Sequence, residues 1–154
     1  MLLRESMRLT AVKFPARPPP VTLTYERAWR AGAGVLVALV VAASLAPAAN
    51  LPATGISDKT SHLAGYAALA LWFAPLFPRR RLPVAAGLIA LGAGLEVVQP
   101  LAGDRLFEWW DMVANAAGVT IGMLLAALGC DRWMPAVDRG VARALARRDV
   151  GDAG

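Results

Sequence analysis

A single cysteine, Cys130, among 154 residues excludes an intramolecular disulfide framework and any cysteine-rich zinc site. Charge is also scarce, at 18% of residues, while 57% are hydrophobic. A chain with that balance is not intrinsically disordered, because it has ample apolar surface to bury and little charge to keep it extended. Acids are the rarer sign, 11 against 16 basic residues, for a net charge of +5. In so apolar a chain the basic excess points to membrane orientation rather than to nucleic acid, and no nucleic-acid partner is expected. The sequence shows no internal repeat and no cofactor-binding motif, so no cofactor is expected. Adding the 14 glycines lifts the apolar total well above the roughly 45–50% of soluble domains. Mean hydropathy is +0.49. An ordinary soluble domain is thereby disfavoured.

Four long apolar runs fill the middle of the chain: Trp29 to Leu45, Thr60 to Phe77, Leu82 to Gln99 and Asp111 to Leu128. Each is about 17–18 residues, at the lower edge of what spans hydrocarbon as a helix. The expectation is an all-α, four-transmembrane-helix bundle. Proline punctuates it: Pro47 follows the first run, Pro75 and Pro78 close the second, Pro83 sits in the first turn of the third and Pro100 ends it. Basic residues gather before the first run, at Arg79 to Arg81, and from Arg132 to Arg148. With four spans all three groups fall on one side, and the positive-inside rule makes that side the cytoplasm. Both termini are then cytoplasmic, and the protein is a multi-pass component of the bacterial cytoplasmic (inner) membrane. Residues 1–28 read as a basic, proline-containing arm, 29–128 as the membrane domain and 129–154 as a basic tail. Trp29 and Trp133 mark the inner interface, and Trp109 and Trp110 the outer one.

The tail aligns Val137, Val141 and Leu145 on one helical face and Arg139, Arg143 and Arg147 on another. It is either an amphipathic helix on the anionic inner leaflet or a frayed basic tail. Two local patterns are set aside. Leu51-Pro52-Ala53-Thr54-Gly55 mimics a cell-wall sorting signal, but two further spans follow it. Ala46 to Ala49 mimics a signal-peptide cleavage site, but an uncleaved first helix fits the later spans better.

Polar residues inside the runs concentrate at the outer ends. Asp58, His62 and Tyr66 follow one another at i+4 and share a helix face. Glu96 and Gln99 are i, i+3 neighbours. Asp111, Asn115, Gly118 and Gly122 form one narrow stripe, whose small residues permit close helix approach in lipid. Three helices would thus carry His62, Glu96, Gln99, Asp111 and Asn115 to one outward-opening pocket, with Arg105 folding over it, while Lys59 is either solvated or a phosphate contact. Ionisable groups at membrane depth are costly and mark function by default. The bland alternative is an interhelical clamp in which Glu96–Arg105 and His62–Asp111 neutralise each other. Asp58 is either a site residue or the N-cap of its helix. Gly118 and Gly122 are read as packing devices, and Phe107 and Trp109 as interface anchors.

The pattern Asp58-Lys59-x-x-His62-x-x-x-Tyr66, Glu96-x-x-Gln99, Arg105, Asp111-x-x-x-Asn115-x-x-Gly118-x-x-x-Gly122 resembles the VanZ-like family, over Asp58 to Gly122. The resemblance implies a small membrane protein of the bacterial envelope, whose namesake is associated with resistance to the glycopeptide antibiotic teicoplanin. Its partners would be the lipid bilayer, a lipid-linked or other envelope ligand, and a helix–helix partner. In the first reading the pocket binds an envelope lipid headgroup, through Asp58, Lys59, Tyr66, Gln99, Arg105 and Asn115. In the second it acts on a lipid-linked phosphate, with His62 as base or nucleophile beside Glu96 and Asp111. A third makes the chain an accessory subunit of a larger membrane complex. One histidine and two carboxylates, His62, Glu96 and Asp111, can hold a divalent ion, but the spacing does not demand one and no metal is assigned. The acidic balance of the outer side is poor steering for an anion.

Overall fold

The computed structural model describes residues 22–47, 57–102 and 106–151. These residues form five α-helices and one short 3-10 turn, with no strand among them. The helices are α1 (Glu26–Leu45), α2 (Asp58–Leu76), α3 (Arg81–Ala102), α4 (Trp109–Ala127) and α5 (Trp133–Gly151). Three of them, α1, α3 and α4, are long and apolar enough to cross a membrane. The apolar run Thr60 to Phe77 predicts a fourth span at α2. That helix falls short on composition rather than length, because its first two turns contain Asp58, Lys59, Thr60, Ser61 and His62. Large apolar side chains point outward from the bundle, among them Leu39, Val97, Ile121 and Leu124.

Local chemistry explains where the helices begin and end. Ser57, not Asp58, is the N-cap of α2: its hydroxyl accepts the Thr60 N–H at 3.2 Å. Pro75 and Pro100 are expected to end their helices, but each lies inside the final turn, with one residue of α2 and two of α3 beyond it. A proline there removes one hydrogen bond at an end where the ladder is already running out, which is far cheaper than a break in mid-helix. At the end of α4, Gly129 takes φ 99°. This left-handed conformation suits glycine and lets the chain turn through Cys130–Arg132 into α5.

The tightest seam joins α2 to α4. A Cβ added to Gly118 would collide with the Leu63 carbonyl, and one on Gly122 would lie 2.5 Å from the Ala67 carbonyl oxygen. The two glycines therefore place the α4 backbone directly on the α2 backbone, as small-residue stripes do in lipid. Around this seam Tyr66, Leu69, Ala70, Leu88 and Val119 form the main buried cluster.

A second cluster closes the far end of the bundle. Ala33, Leu76 and Met134 pack there against Trp29, Trp72 and Trp133. The three indole rings stand 5.2–5.7 Å apart in tilted and edge-on pairs. Trp29 and Trp133 thus pack into an aromatic knot with Trp72, whereas Trp109 and Trp110 are exposed. Beside the knot, Asp138 of α5 accepts the Thr24 N–H at 2.7 Å, the Tyr25 N–H at 3.0 Å and the Trp29 indole N–H at 2.9 Å. Arg81 of α3 pairs with Asp131 nearby. The tail is helical from Trp133, and its Val137, Val141 and Leu145 face remains exposed.

Candidate functional site

Parallel packing of α2 on α4 decides the site. Because Gly118 lies against Leu63 and Gly122 against Ala67, the first turns of the two helices meet. His62 Nδ1 then sits 2.9 Å from Asn115 Oδ1, in a buried hydrogen bond. An amide oxygen only accepts, so the imidazole donates from Nδ1 and its Nε2 carries the lone pair when neutral. Nε2 faces two carboxylates, Asp58 Oδ2 at 3.8 Å and Asp111 Oδ2 at 4.0 Å. Lys59 bonds Glu108 Oε2 at 2.6 Å and lies 3.6 Å from Asp111 Oδ1.

The third wall is the end of α3. Glu96 Oε1 accepts the Glu108 backbone N–H at 2.7 Å, which ties α3 to the start of α4. Gln99 is buried on the same helix. Gly92, one turn before Glu96, is where α3 passes closest: an added Cβ would lie 2.9 Å from Asn115 Nδ2 and 3.1 Å from Tyr66 Cζ. The structure therefore gathers His62, Asp111 and Asn115 directly, with Asp58 and Lys59 at the rim. Glu96, Gln99 and Tyr66 are buried on the neighbouring faces. Arg105 lies outside the described residues.

This polar patch is under-satisfied. Tyr66 Oη, Glu96 Oε2, Gln99 Nε2 and Asp111 Oδ1 are buried, and none has a hydrogen-bond partner among the described residues. A buried polar atom left without a bond costs about 1–3 kcal/mol. A cluster of them is a poor stability device and a frequent mark of a binding or catalytic site.

Beside the patch runs a groove of about 310 Å³ between α1 and α2. Leu36, Leu39, Val40 and Ala43 line its length, and Asp58, Ser61 and His62 form its polar end. The groove was not foreseen, since nothing in either run alone says that α1 lies beside the Asp58–His62–Tyr66 face. Gly92 and Glu108 were also missed. Gly92 carries a legible signal, because it stands at i−4 from Glu96 on the same helical face. Glu108 contributes both its carboxylate, to Lys59, and its backbone N–H, to Glu96, and no side-chain pattern reveals the second. Compared with known proteins, the chain matches no family model, no curated protein and no solved structure.

Proposed function

We propose that this is a four-pass protein of the bacterial inner membrane, similar to VanZ-like proteins, that binds an amphiphilic envelope ligand. The ligand's tail lies in the α1–α2 groove and its headgroup at His62. The observation that carries this reading is the groove itself: Leu36, Leu39, Val40 and Ala43 of α1 give it an apolar wall, and Ser44, Asp58, Ser61, His62 and Tyr66 add polar groups to the same lining. A wholly apolar ligand would leave those polar groups unmatched, and a wholly polar one would leave Leu36, Leu39 and Val40 unmatched. The four-span count follows from counting α2, whose His62 is buried against α4 while Asp58 to Ser61 stand exposed at the end of the helix. The cytoplasmic placement of both termini follows from Arg79 to Arg81 and the tail arginines. The patch then opens outward, toward the envelope, where a role in antibiotic resistance would be exercised.

The test uses the full chain in detergent with polyprenyl phosphate, followed by native mass spectrometry. Gly65→Leu places a side chain into the groove from a position where an added Cβ meets nothing within 4 Å. It is expected to lower bound lipid at least about tenfold, the equivalent of roughly 1.4 kcal/mol. Leu124→Ala, on an outward face, leaves it unchanged. If the groove-filled variant still carries lipid like the wild type, this reading fails.

A second reading, catalysis, is favoured by the His62 geometry, with the proton on Nδ1 fixed by Asn115 and Nε2 directed at acids. The two are separated by the same incubation. Product in molar excess over protein indicates an enzyme, and capture without product indicates a binder.

A further inference from the structure

The acids at the mouth of the groove conflict with an anionic headgroup. Among the described residues, Asp58, Glu96, Glu108 and Asp111 outnumber Lys59 and one histidine, and such a balance steers poorly for phosphate. Protonating His62 does not resolve the arrangement. An imidazolium N–H paired with a carboxylate closes to about 2.7–2.9 Å, whereas Nε2 stands 3.8 and 4.0 Å from its two acids. Those spacings are too long for hydrogen bonds. They fall instead in the range for two donors on one metal ion: bonds of ~2.0–2.2 Å set ligand atoms roughly 3.0–4.4 Å apart.

We propose that Asp58, His62 and Asp111 hold a divalent transition-metal ion of the Zn²⁺ class at the polar end of the α1–α2 groove. One donor atom from each of the three lies within 4.8 Å of the others. The donor set, one imidazole and two carboxylates, suits such an ion, and three protein ligands leave a coordination position open to a phosphate or water. Asn115 supplies the outer support that metal-binding histidines use: it takes the Nδ1 proton and aims Nε2 at the acids. Asp111 is 3% exposed, and its two oxygens are turned to different neighbours, Oδ2 to His62 Nε2 and Oδ1 to the Lys59 ammonium. Lys59 does not oppose the ion, because its ammonium is engaged by Glu108 on the Oδ1 side of Asp111. Glu96, a candidate ligand from the sequence, is instead used by the Glu108 backbone N–H. Its place in the triad is taken by Asp58, one helical turn before His62. The charge argument rests on the proposed lipid ligand, whereas the donor geometry stands without it.

The test is Zn²⁺ binding by the tag-free full chain carrying Cys130→Ser, which removes an exposed thiol that would compete. One Zn²⁺ per chain is expected by calorimetry and elemental analysis. His62→Ala and Asp111→Asn should each weaken it at least about tenfold, and Asn115→Ala about tenfold. Leu124→Ala, on an outward face, should leave it unchanged. Zinc-edge absorption spectroscopy on the Cys130→Ser chain, with the site otherwise intact, should show a single imidazole among oxygen donors. That measurement decides the matter even if a site variant fails to fold. Absence of stoichiometric Zn²⁺, a coordination shell without imidazole, or undiminished binding in folded His62→Ala overturns the proposal. Lipid bound equally with and without chelator, together with no Zn²⁺, overturns the metal site and spares the lipid reading. Zn²⁺ bound in a protein that captures no lipid does the reverse.

Discussion

Asp138 and Asp111 are both acids with at most 3% of their surface exposed, and they stand at opposite ends of the bundle. Asp138 accepts three N–H groups, two from backbone and one from an indole. Asp111 has an oxygen with no hydrogen bond among the described residues and a histidine 4.0 Å away. The first is a completed junction that pins α5 to the entry of α1. The second sits with Tyr66, Glu96 and Gln99 in a patch where buried polar atoms go unmatched. Satisfied burial holds a fold together, and unsatisfied burial persists where something other than stability is selected. The same difference separates the Trp29–Trp72–Trp133 knot from the outer ends of α2, α3 and α4. At that end Trp133 Nε1 and Arg81 Nε also have no hydrogen-bond partner among the described residues, two atoms against the four of the patch.

The contrast can be broken at the seam both ends share. Gly118→Leu would drive a side chain into the Leu63 carbonyl. It is expected to lower stability by about 3 kcal/mol, the upper end of overpacking costs, because backbone cannot step aside. Thermal unfolding in detergent reads the loss, and the His62–Asn115 pairing should disappear with it.

The junction end is tested by pH. Burial alone pushes the Asp138 carboxyl up, but the Thr24 N–H, the Trp29 indole and the Tyr25 N–H together hold it below its ordinary value. A folded value below the unfolded one, about 3.9, means the stabilisation is complete above that unfolded value. It is lost as pH falls through the folded value. Asp138→Asn should therefore melt several degrees below the wild type at neutral pH, with the gap closing progressively below about pH 4. A gap that stays constant into acid would show that the carboxylate's charge is not what the junction uses.

The smallest effect has the opposite sign. Tyr66→Phe deletes a buried hydroxyl that has no partner among the described residues. It should leave stability unchanged or raise it by about 1 kcal/mol, while lowering lipid capture. A clear loss of stability would show that the Tyr66 hydroxyl is hydrogen-bonded in the folded protein.

Much of the fold is legible in local pattern. Residues 29–45, 82–99 and 111–128 were marked by apolar length alone, and the ends moved by only a few residues because helix termini depend on single caps. Ser57 is one such case, taking the role that its neighbour Asp58 equally fits by residue type. The shared faces of Asp58, His62 and Tyr66, and of Asp111, Asn115, Gly118 and Gly122, also follow from the 3.6-residue repeat. What could not be read is which faces meet. Asp138 looks like one acid among tail arginines, and its partner Thr24 lies 114 residues earlier. Trp72 gives no sign that it will meet Trp29 and Trp133.

The sequence by itself determined that this chain is helical and apolar, and that its hydrophilic groups gather at helix ends, because those properties depend only on neighbours within a turn or two. Only the tertiary structure decided that α1 would flank α2 to form a groove, that the imidazole would be held by Asn115, and that Asp58 rather than Glu96 would share its other side. Those outcomes depend on how closely two glycines let α4 approach α2, a three-dimensional fit to which no single helix holds the key.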